Sequence, residues 1–393
     1  MQQLAIISSH PIQYYAPWFR FLARETNLDI KVFYLWDFGV KEKKDPGFDQ
    51  SVKWDIPLLE AYPYTFVRNA SSTPGTASFW GLQNPSLIQE VSAYAPHAVL
   101  LMNYSYASLQ SFIWRWPVNR IPLLFRGDSH RLLPAPGRFA ALKRYALAQV
   151  FRRFRACLYV GKANYDYFRF HGVPPENLFF SPHAVDNERY FQAEAEAGRE
   201  AQEWRRSLGV PEDHLVILYA AKFTDRKRPQ DLIQAFIQAQ LLGVSLLMVG
   251  AGPLEADLRT QAAGRPEIVF APFQNQSQMP RVYAAGDVFV MPSYGPRETW
   301  GLAINEAQCM GRPVIVSSHV GCAADLVTPG ETGWIFPAGD VSALAACLRE
   351  ACHDRARLQR LGAAGRERVQ TYSYAQTTAG LLAALDDVLN RKG

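Results

Sequence analysis

The sequence has few cysteines and no long apolar run, and both absences exclude classes of protein. Among 393 residues there are five cysteines, an odd number, and no two of them form a Cys-x-x-Cys pair. This pattern indicates buried free thiols in a reducing compartment rather than a disulfide framework. The longest apolar runs, such as 215–221 and 245–249, are far shorter than the roughly 20 residues that a membrane-spanning helix needs.

The N-terminus also lacks the marks of an export signal. Residues 1–10 have no positively charged start and only a short apolar run, so they are predicted to form a first β-strand. We therefore expect a cytoplasmic protein. Apolar residues make up 48% of the chain and charged residues 20%, without low-complexity segments or internal repeats. These values are typical of a globular protein, and the length predicts two domains of about 150–200 residues each.

Two motifs that are typical of nucleotide-dependent or metal-dependent enzymes are missing. Ser9 and His10 follow the first predicted strand, where a dinucleotide-binding dehydrogenase would have a Gly-x-Gly-x-x-Gly turn. No Asp-x-Asp motif lies in a loop suited to a metal ion. The sequence therefore argues against a dehydrogenase, and we predict neither a metal site nor a bound cofactor.

Negative charge is scarce in the first half of the chain. Residues 1–186 contain 20 Lys and Arg against 13 Asp and Glu, a net charge of +7, whereas residues 187–393 carry −2. Positive charge is densest from Arg138 to Arg169, where a helix is predicted at 138–151. Such a stretch is a solvated face, a site for an anionic acceptor, or a contact with anionic lipid on the inner face of the cytoplasmic membrane. We predict no nucleic-acid partner.

Short apolar runs alternate with helical stretches, which predicts parallel sheets with helices on both faces. Strands are predicted at 4–8, 30–35, 98–103, 122–126, 156–160, 215–221, 245–249, 268–271, 288–291, 313–317 and 333–336. The stretch 187–212 is rich in Ala, Glu and Arg, and we interpret it as a linker plus a helix that enters a new domain.

The predicted fold is α/β, with two doubly wound Rossmann-like domains that face each other across a cleft. We place an N-terminal domain at 1–204 and a C-terminal domain at 205–372. A final helix at 373–393 is expected to pack back towards the first domain. In such sheets ligands bind outside the carboxyl ends of the strands, so the loops that follow strands are the places to look for a site.

The strongest motif follows the predicted strand 288–291. It contains Glu298, Thr299, Gly301, Leu302 and Glu306. A helix that begins near Gly301 offers free backbone N–H groups and the positive end of its dipole, so a diphosphate would fit at Gly301 and Leu302. Glu306 lies roughly 6 Å further along the same helix face, where its carboxylate can accept hydrogen bonds from both ribose hydroxyls. Glu298 precedes the helix, on the side where a transferred sugar would lie.

This motif resembles the signature of glycosyltransferase family 4, whose members have the GT-B fold. There, two Glu are separated by seven residues and are followed by an Ala, a Gly and Pro-Val, as they are in 298–314 here. Residues 330–340 match the closing turn of the family, so the resemblance covers most of the second predicted domain. It implies a retaining, metal-independent enzyme whose co-substrate is a nucleotide-diphosphate-sugar. It also implies front-face attack by the acceptor, with the departing phosphate taking the proton.

A cluster of cations follows the predicted strand 215–221. Lys222, Arg226, Lys227 and Arg228 lie within seven residues. The resemblance matches Lys222 to a family Arg and Lys227 to a family Lys, and implies that both stabilise the charge that grows on the donor diphosphate. Lys222 departs from the family pattern, since Lys keeps the charge of Arg but loses its bidentate fork.

Weaker candidates lie in other loops that follow strands. Gly250 is either only a tight turn or part of the base pocket, and Phe273 is placed near the base. Ser9 and His10 occupy the position of a Gly-containing family loop that lies against the donor phosphates. They would make this contact through the backbone or through their side chains, unless His10 is a structural histidine.

The acceptor side of the reaction is expected in the first domain. Asp128 and His130 are two candidates for a position at which many family members have a His beside the reacting sugar. Asn103 and Tyr104 are expected to line the cleft. Asp186 lies in a segment that resembles the family's interdomain turn, so we assign it a structural role.

The sequence therefore predicts a glycosyltransferase of the hexosyltransferase type. The acceptor would be a glycan or a lipid-linked molecule in cell-surface polysaccharide or glycolipid assembly. The alternative on the same fold is a nucleotide-sugar epimerase or hydrolase, which would need Asp128, His130 and Glu298 for acid–base chemistry. The sequence does not separate UDP-, GDP- and ADP-sugars.

Overall fold

The computed structural model describes residues 1–40, 43–45, 47–133, 137 and 139–390. Its strands, numbered in chain order, are β1 (Gln2–Ser8), β2 (Leu28–Tyr34), β3 (Lys43–Asp45), β4 (Gln50–Val52), β5 (Tyr64–Phe66), β6 (Ala98–Leu101), β7 (Leu123–Arg126), β8 (Ala156–Tyr159), β9 (Leu178–Phe180), β10 (Leu215–Ala220), β11 (Val244–Val249), β12 (Ile268–Ala271), β13 (Val288–Met291), β14 (Val314–Ser317) and β15 (Gly333–Phe336).

The α-helices are numbered in the same way. They are α1 (Ala16–Glu25), α2 (Leu87–Ala93), α3 (Ala107–Arg115), α4 (Ala140–Phe151), α5 (Lys162–Phe170), α6 (Asn187–Ser207), α7 (Pro229–Ala239), α8 (Glu255–Gln261), α9 (Met279–Ala284), α10 (Leu302–Cys309), α11 (Ala323–Leu326), α12 (Val341–His353), α13 (Arg355–Gln370) and α14 (Tyr374–Asn390). Arg138, the predicted start of the basic stretch and of its helix, lies outside the described residues. In the part of the chain that the structure describes, no helix combines the length and apolarity needed to cross a bilayer.

The chain folds as two compact units that alternate along the sequence. The first comprises Met1–Lys43, Ile56–His183 and Tyr374–Gly393, and the second comprises Lys44–Asp55 and Ala184–Ser373. Each unit has its own buried apolar core. The domain boundary predicted at residue 204 therefore falls inside α6, which belongs entirely to the second unit.

The stretch 187–212 was interpreted as a linker plus a helix. The helix is confirmed as α6, but no linker precedes it, because α6 is continuous from Asn187 to Ser207. It begins directly after Asp186, whose side chain caps the first turn by accepting a hydrogen bond from the Arg189 N–H at 3.3 Å. Asn, Asp, Ser and Thr stabilise helix starts in this way, and the Ala, Glu and Arg that fill the segment are good helix formers. The cap agrees with the structural role expected for Asp186.

The first unit is built on a seven-stranded parallel sheet in the order β5-β2-β1-β6-β7-β8-β9. Its central strands are buried on both faces, which explains their nearly continuous apolar sequence. The strand order reverses between β1 and β6. At such a switch point the loops that leave the two strands diverge and open a crevice for a ligand.

The C-terminal helix α14 packs on β8 and β9 in the first unit. Trp18 donates from Nε1 to Thr378 Oγ1 at 3.1 Å, and the Ser181 hydroxyl donates to the Thr377 carbonyl at 2.9 Å. The approach to β9 is so close that a Cβ on Gly380 would lie 1.9 Å from the Phe180 carbonyl oxygen. Only glycine fits at that point of the helix.

The second unit is built on a six-stranded parallel sheet in the order β12-β11-β10-β13-β14-β15. Each of these strands lies within one residue of its predicted bounds. The order reverses between β10 and β13, so the loops after these two strands flank the switch point. The predicted α/β class, with two doubly wound Rossmann-like sheets, is confirmed.

Candidate functional site

The two loops at the switch point of the second sheet carry five of the site residues predicted from the sequence, which are Lys222, Lys227, Glu298, Thr299 and Gly301. The loop after β10 holds Lys222 and Lys227, and the loop after β13 holds Glu298. Parallel strands end at the same edge of a sheet, so the topology brings the two loops together. The sequence motifs, which lie about 70 residues apart, therefore form one site.

A largely buried ion pair joins these loops. Lys227 donates from Nζ to Glu298 Oε2 at 2.6 Å, and the two side chains are 13% and 7% exposed. Arg226 Nη1 lies 3.9 Å from the same oxygen. Burial alone would raise the pKa of Glu298, but the positive charges of Lys227 and Arg226 outweigh this effect and hold the pKa below its ordinary value. Glu298 is therefore a carboxylate at neutral pH.

The loop that carries Glu298 is fixed by the backbone of a neighbouring loop. Gly321 N–H donates to the Glu298 carbonyl at 3.1 Å, and Cys322 N–H donates to the Trp300 carbonyl at 2.9 Å. A Cβ on Gly321 would lie only 1.9 Å from the carbonyl oxygen of Thr299. This close contact holds the segment from Glu298 to Trp300 in place before any ligand binds.

Helix α10 begins at the position predicted for a diphosphate. Gly301, which precedes its first residue Leu302, has φ +103°, a conformation that strains any residue with a side chain. A Cβ there would also lie 2.8 Å from Val320 Cγ1. The first N–H groups of a helix have no partner within the helix, so this start can receive an anion. Thr299 lies just before it and is partly exposed.

Glu306 lies one turn into α10 and is 2% exposed. Tyr283 on α9 donates its hydroxyl hydrogen to Glu306 Oε2 at 2.6 Å. Arg189 on α6 lies near enough for the negative charge of Glu306 to affect it. Burial alone would lower the pKa of Arg189, but the neighbouring Tyr190 and Glu306 outweigh this effect and raise it. Glu306 is thus oriented by the hydrogen bond from Tyr283 on α9 and lies within the electrostatic reach of Arg189 on α6.

A cavity of about 530 Å³ opens beside the ion pair in the second unit. Three of its lining side chains, Lys222, Arg226 and Arg297, are cationic. The remaining walls are formed by Gly47, Thr224, Tyr294, Gly295 and Pro296. Its size and charge suit a phosphorylated ligand. Arg297 and Tyr294 were not identified from the sequence, although both lie in the loop after β13, where the predicted site was expected.

Gly47 and Phe48 are the least expected residues at this site. They belong to the segment Lys44–Asp55, which comes from the first half of the chain but folds with the second unit. The Phe48 ring lies 4.5 Å from Lys222 Nζ and 4.4 Å from the ring of Phe273. Asn275 Nδ2 donates to the Lys53 carbonyl at 2.7 Å, which ties the segment to the loop after β12. Phe48 thus connects two predicted donor-binding residues.

Gly250 is required by the close approach of two loops. Its φ is +154°, and a Cβ at this position would lie 2.1 Å from the Ala221 carbonyl oxygen. Its N–H donates to the Ala271 carbonyl at 3.1 Å. These contacts account for the glycine by packing, and its predicted place in a base pocket stays a prediction.

In the first unit, Ser9 and His10 follow β1 and contact each other. Ser9 Oγ lies 3.0 Å from His10 Nδ1, and the His10 ring makes edge contacts with the rings of Trp36 and Phe38. Burial lowers the pKa of His10 to about 4. The imidazole is therefore neutral near pH 7, and it can exchange a hydrogen bond but offers no positive charge to a phosphate.

Asp128 follows β7 and pairs with a histidine that was not predicted to belong to the site. His183 Nε2 lies 3.4 Å from Asp128 Oδ2, and the His183 ring stacks on Tyr15 with centroids 6.1 Å apart. Burial lowers the pKa of His183, although its hydrogen bond with Asp128 acts in the opposite direction. His183 follows β9, whose three half-buried residues give no strong strand signal, so its place beside the loop after β7 was not foreseen.

The other first-unit candidates make local contacts. His130 Nδ1 accepts a hydrogen bond from the Leu132 N–H at 3.3 Å. Asn103 Oδ1 accepts from the Ser105 N–H at 2.6 Å, and the Tyr104 hydroxyl lies 3.0 Å from that of Tyr167. The roles predicted for these residues stay predictions.

Comparison with known proteins points to one family. Residues 200–368 match the family described as "Glycosyl transferases group 1". The sulfoquinovosyl transferase SQD2 of Arabidopsis thaliana is 33% identical over 44% of this chain and 33% of its own length. A GDP-mannose-dependent monoacylated alpha-(1-6)-phosphatidylinositol monomannoside mannosyltransferase of Corynebacterium glutamicum is 34% identical over 48% of this chain and 50% of its own. The chain thus spans half or less of these relatives.

Solved structures share the fold of this protein over nearly its whole length. Alr3699/HepE of Anabaena, crystallised with UDP and glucose, superposes with a TM-score of 0.74 over 98% of this chain and 100% of its own. Its sequence is 16% identical, so this similarity concerns the fold. Among the described residues no group of three or more His, Cys, Asp and Glu is arranged to hold a metal ion.

Proposed function

We propose that this chain, whose residues 200–368 belong to the group 1 glycosyl transferase family, transfers a hexose from a nucleotide-diphosphate-sugar to an acceptor hydroxyl. The observation that carries the proposal is the cationic cavity beside the Lys227–Glu298 pair, at the switch point of the second sheet. A nucleoside diphosphate is an anion, and the three cationic side chains that line the cavity suit its charge.

Each part of the donor has a proposed partner in the second unit. Lys222, Arg226 and Arg297 would offset the diphosphate charge, together with the N–H groups at Gly301 and Leu302. The Glu306 carboxylate would accept hydrogen bonds from the ribose hydroxyls. Thr299 would contact the phosphates, and Gly250 and Phe273 would lie beside the base.

The reaction follows from where charge develops. The bond between the sugar C1 and the phosphate oxygen breaks, and a bond between C1 and the acceptor oxygen forms on the same face, so the configuration is retained. The acceptor proton passes to the departing phosphate oxygen. Fixed cations stabilise the growing charge because they need no reorganisation during the step. Lys227 would add to this charge and hold Glu298 beside the sugar.

The acceptor is proposed to be a glycan or a lipid-linked molecule. The two relatives described above are named for the transfer of sulfoquinovose and for mannosylation of a phosphatidylinositol mannoside, which supports glycolipid or polysaccharide assembly. Acceptor contacts are proposed in the first unit, where Asp128 and His130 follow β7 and Ser9 and His10 follow β1. A cytoplasmic, metal-independent enzyme without a bound cofactor remains part of the proposal.

Glu306→Gln tests the donor site. A thermal-shift screen of UDP, GDP and ADP first identifies the diphosphate that the wild type binds, and calorimetry then measures its affinity. Loss of the charged hydrogen bonds to ribose should cost about 1.5–3 kcal/mol, roughly a 10- to 150-fold weaker Kd. The exposed Glu331→Gln is the matched control and should bind as the wild type does.

A ribose analogue makes the test specific. The same diphosphate without its 2′- and 3′-hydroxyls should bind the wild type and Glu306→Gln equally. A variant that keeps wild-type affinity for the complete nucleotide would contradict the ribose assignment. Incubation with the nucleotide-sugar alone distinguishes a transferase from the alternative enzyme class. Rapid turnover without an acceptor would indicate an epimerase or hydrolase.

A further inference from the structure

The N-terminal half of α4 in the first unit is exposed to solvent. All seven helical residues from Ala140 to Ala146 are exposed, whereas Val150 and Phe151 at the other end pack into the core. Helical stability in proteins comes mostly from packing of an apolar face, and short isolated helices are marginal in water. Two turns of helix that project in this way indicate a surface for a partner.

The projecting turns expose large apolar side chains on one side. Phe139 is 70% exposed, Leu142 is 64% exposed and Tyr145 is 65% exposed. Residues three apart in a helix lie on the same face, so Leu142 and Tyr145 form a ridge that Phe139 extends at the helix start. We call Phe139, Leu142 and Tyr145 the α4 ridge. Single exposed apolar residues are common, but a row of three marks an interaction site.

The surroundings of the α4 ridge are positively charged. Residues 129–165 contain eight Lys and Arg and no Asp or Glu. Lys143 is exposed on the helix beside the ridge. Arg131 and Arg144 lie over the ring of Phe170, 3.3 and 4.3 Å from its centroid, which keeps both guanidinium groups close to the ridge. A partner for this surface must therefore be negatively charged and also accept apolar side chains.

We propose that the α4 ridge binds the surface of an anionic lipid bilayer. Phe139, Leu142 and Tyr145 would enter the boundary between headgroups and acyl chains, and Lys143, Arg131 and Arg144 would contact the anionic headgroups. Nucleic acid would match the charge but would not account for the apolar ridge. A second copy of the chain would cover the ridge but would bring the same positive charge. The inference goes beyond the proposed transfer reaction and does not depend on it.

Vesicle sedimentation with the full chain tests this surface. We expect the wild type to sediment with vesicles of phosphatidylcholine and phosphatidylglycerol at least tenfold more strongly than with phosphatidylcholine alone, and added salt should weaken the binding. Leu142→Asp should reduce binding at least tenfold. Leu242→Asp is the matched control, because Leu242 is 94% exposed in the second unit, and it should bind as the wild type does. Both positions are exposed, so unchanged melting temperatures verify folding.

Three results would overturn the proposal. These are equal binding to neutral and anionic vesicles, wild-type binding by Leu142→Asp, and a dimer without vesicles that Leu142→Asp dissociates. The last result would make a second copy the partner. Neither donor nor acceptor is present in this assay, so a failure of the proposed transfer reaction leaves its result unaffected.

Discussion

Replacing Lys227 by methionine removes one half of the buried ion pair and keeps a side chain of similar length. At 2.6 Å the attraction between Lys227 and Glu298 is about 6 kcal/mol for an effective dielectric constant of about 20, before the cost of burying both charges. Removal of one partner leaves the other charge buried, and this typically costs about 3–5 kcal/mol. We expect a loss near the lower limit, about 3 kcal/mol, because Arg226 remains 3.9 Å from Glu298.

The coupling between Lys227 and Glu298 can be measured by calorimetric melting of four proteins. These are the wild type, Lys227→Met, Glu298→Gln and the double variant. A loss of about 3 kcal/mol should lower the Tm of the second unit by about 6–12 °C. The double-mutant cycle should give a coupling energy of about 2 kcal/mol. Arg226→Met is the control, since Arg226 is 41% exposed, and it should cost less than about 1 kcal/mol. Equal losses for Lys227→Met and Arg226→Met, or a coupling near zero, would refute the reasoning.

The pH dependence provides an independent check on the same pair. The positive charges of Lys227 and Arg226 hold the pKa of Glu298 in the folded protein below its ordinary value. The pair therefore stabilises the fold fully above the unfolded pKa of about 4.3, and this stabilisation is lost as the pH falls through the folded pKa. The Tm difference between the wild type and Lys227→Met should be largest near neutral pH and should narrow below about pH 4.

Two further substitutions test the geometry of the proposed donor site. Gly301→Ala should destabilise the second unit by about 1–3 kcal/mol in thermal melting, because the new Cβ would lie 2.8 Å from a neighbouring side chain. The control is Gly311→Ala, since Gly311 has φ +64° but open space around it. It should lose only the stability that the strained backbone conformation costs. Phe48→Ala should weaken diphosphate binding by about 2- to 5-fold in calorimetry, because the cation–π contact with Lys222 is lost. The control Phe79→Ala, at an exposed position, should leave binding unchanged. Tighter binding by Phe48→Ala would mean that the ring obstructs the site.

The fold could be predicted from the sequence where burial leaves a continuous apolar run. The strands of the second sheet are of this kind, and their bounds were nearly right. The edge strands β5 and β9 were missed because each has three residues and none of them is buried. The segment Lys44–Asp55 was assigned to the first domain, because its long-range partners in the second unit leave no local pattern in the sequence.

The candidate site could likewise be predicted only in part. The Glu298 and Glu306 motif was locatable because its helix start, glycine and carboxylates are close in sequence. The contact between Lys227 and Glu298 was not, since it depends on two loops brought together by strand order. Phe48 and His183 were missed for a similar reason. Phe48 lies in the segment Lys44–Asp55 and His183 follows β9, and neither segment has a local sequence pattern that predicts what it packs against.

The alternation of the two units along the chain bears on the order in which they can fold during synthesis. The ribosome releases all of the second unit, which ends at Ser373, before it releases α14 of the first. The hydrogen bond between Trp18 and Thr378 spans 360 residues. The strands β8 and β9 therefore stay without their covering helix α14 until the whole second unit has been synthesised. The first unit begins first and finishes last, and its uncovered sheet is the surface that a nascent chain would most need to protect.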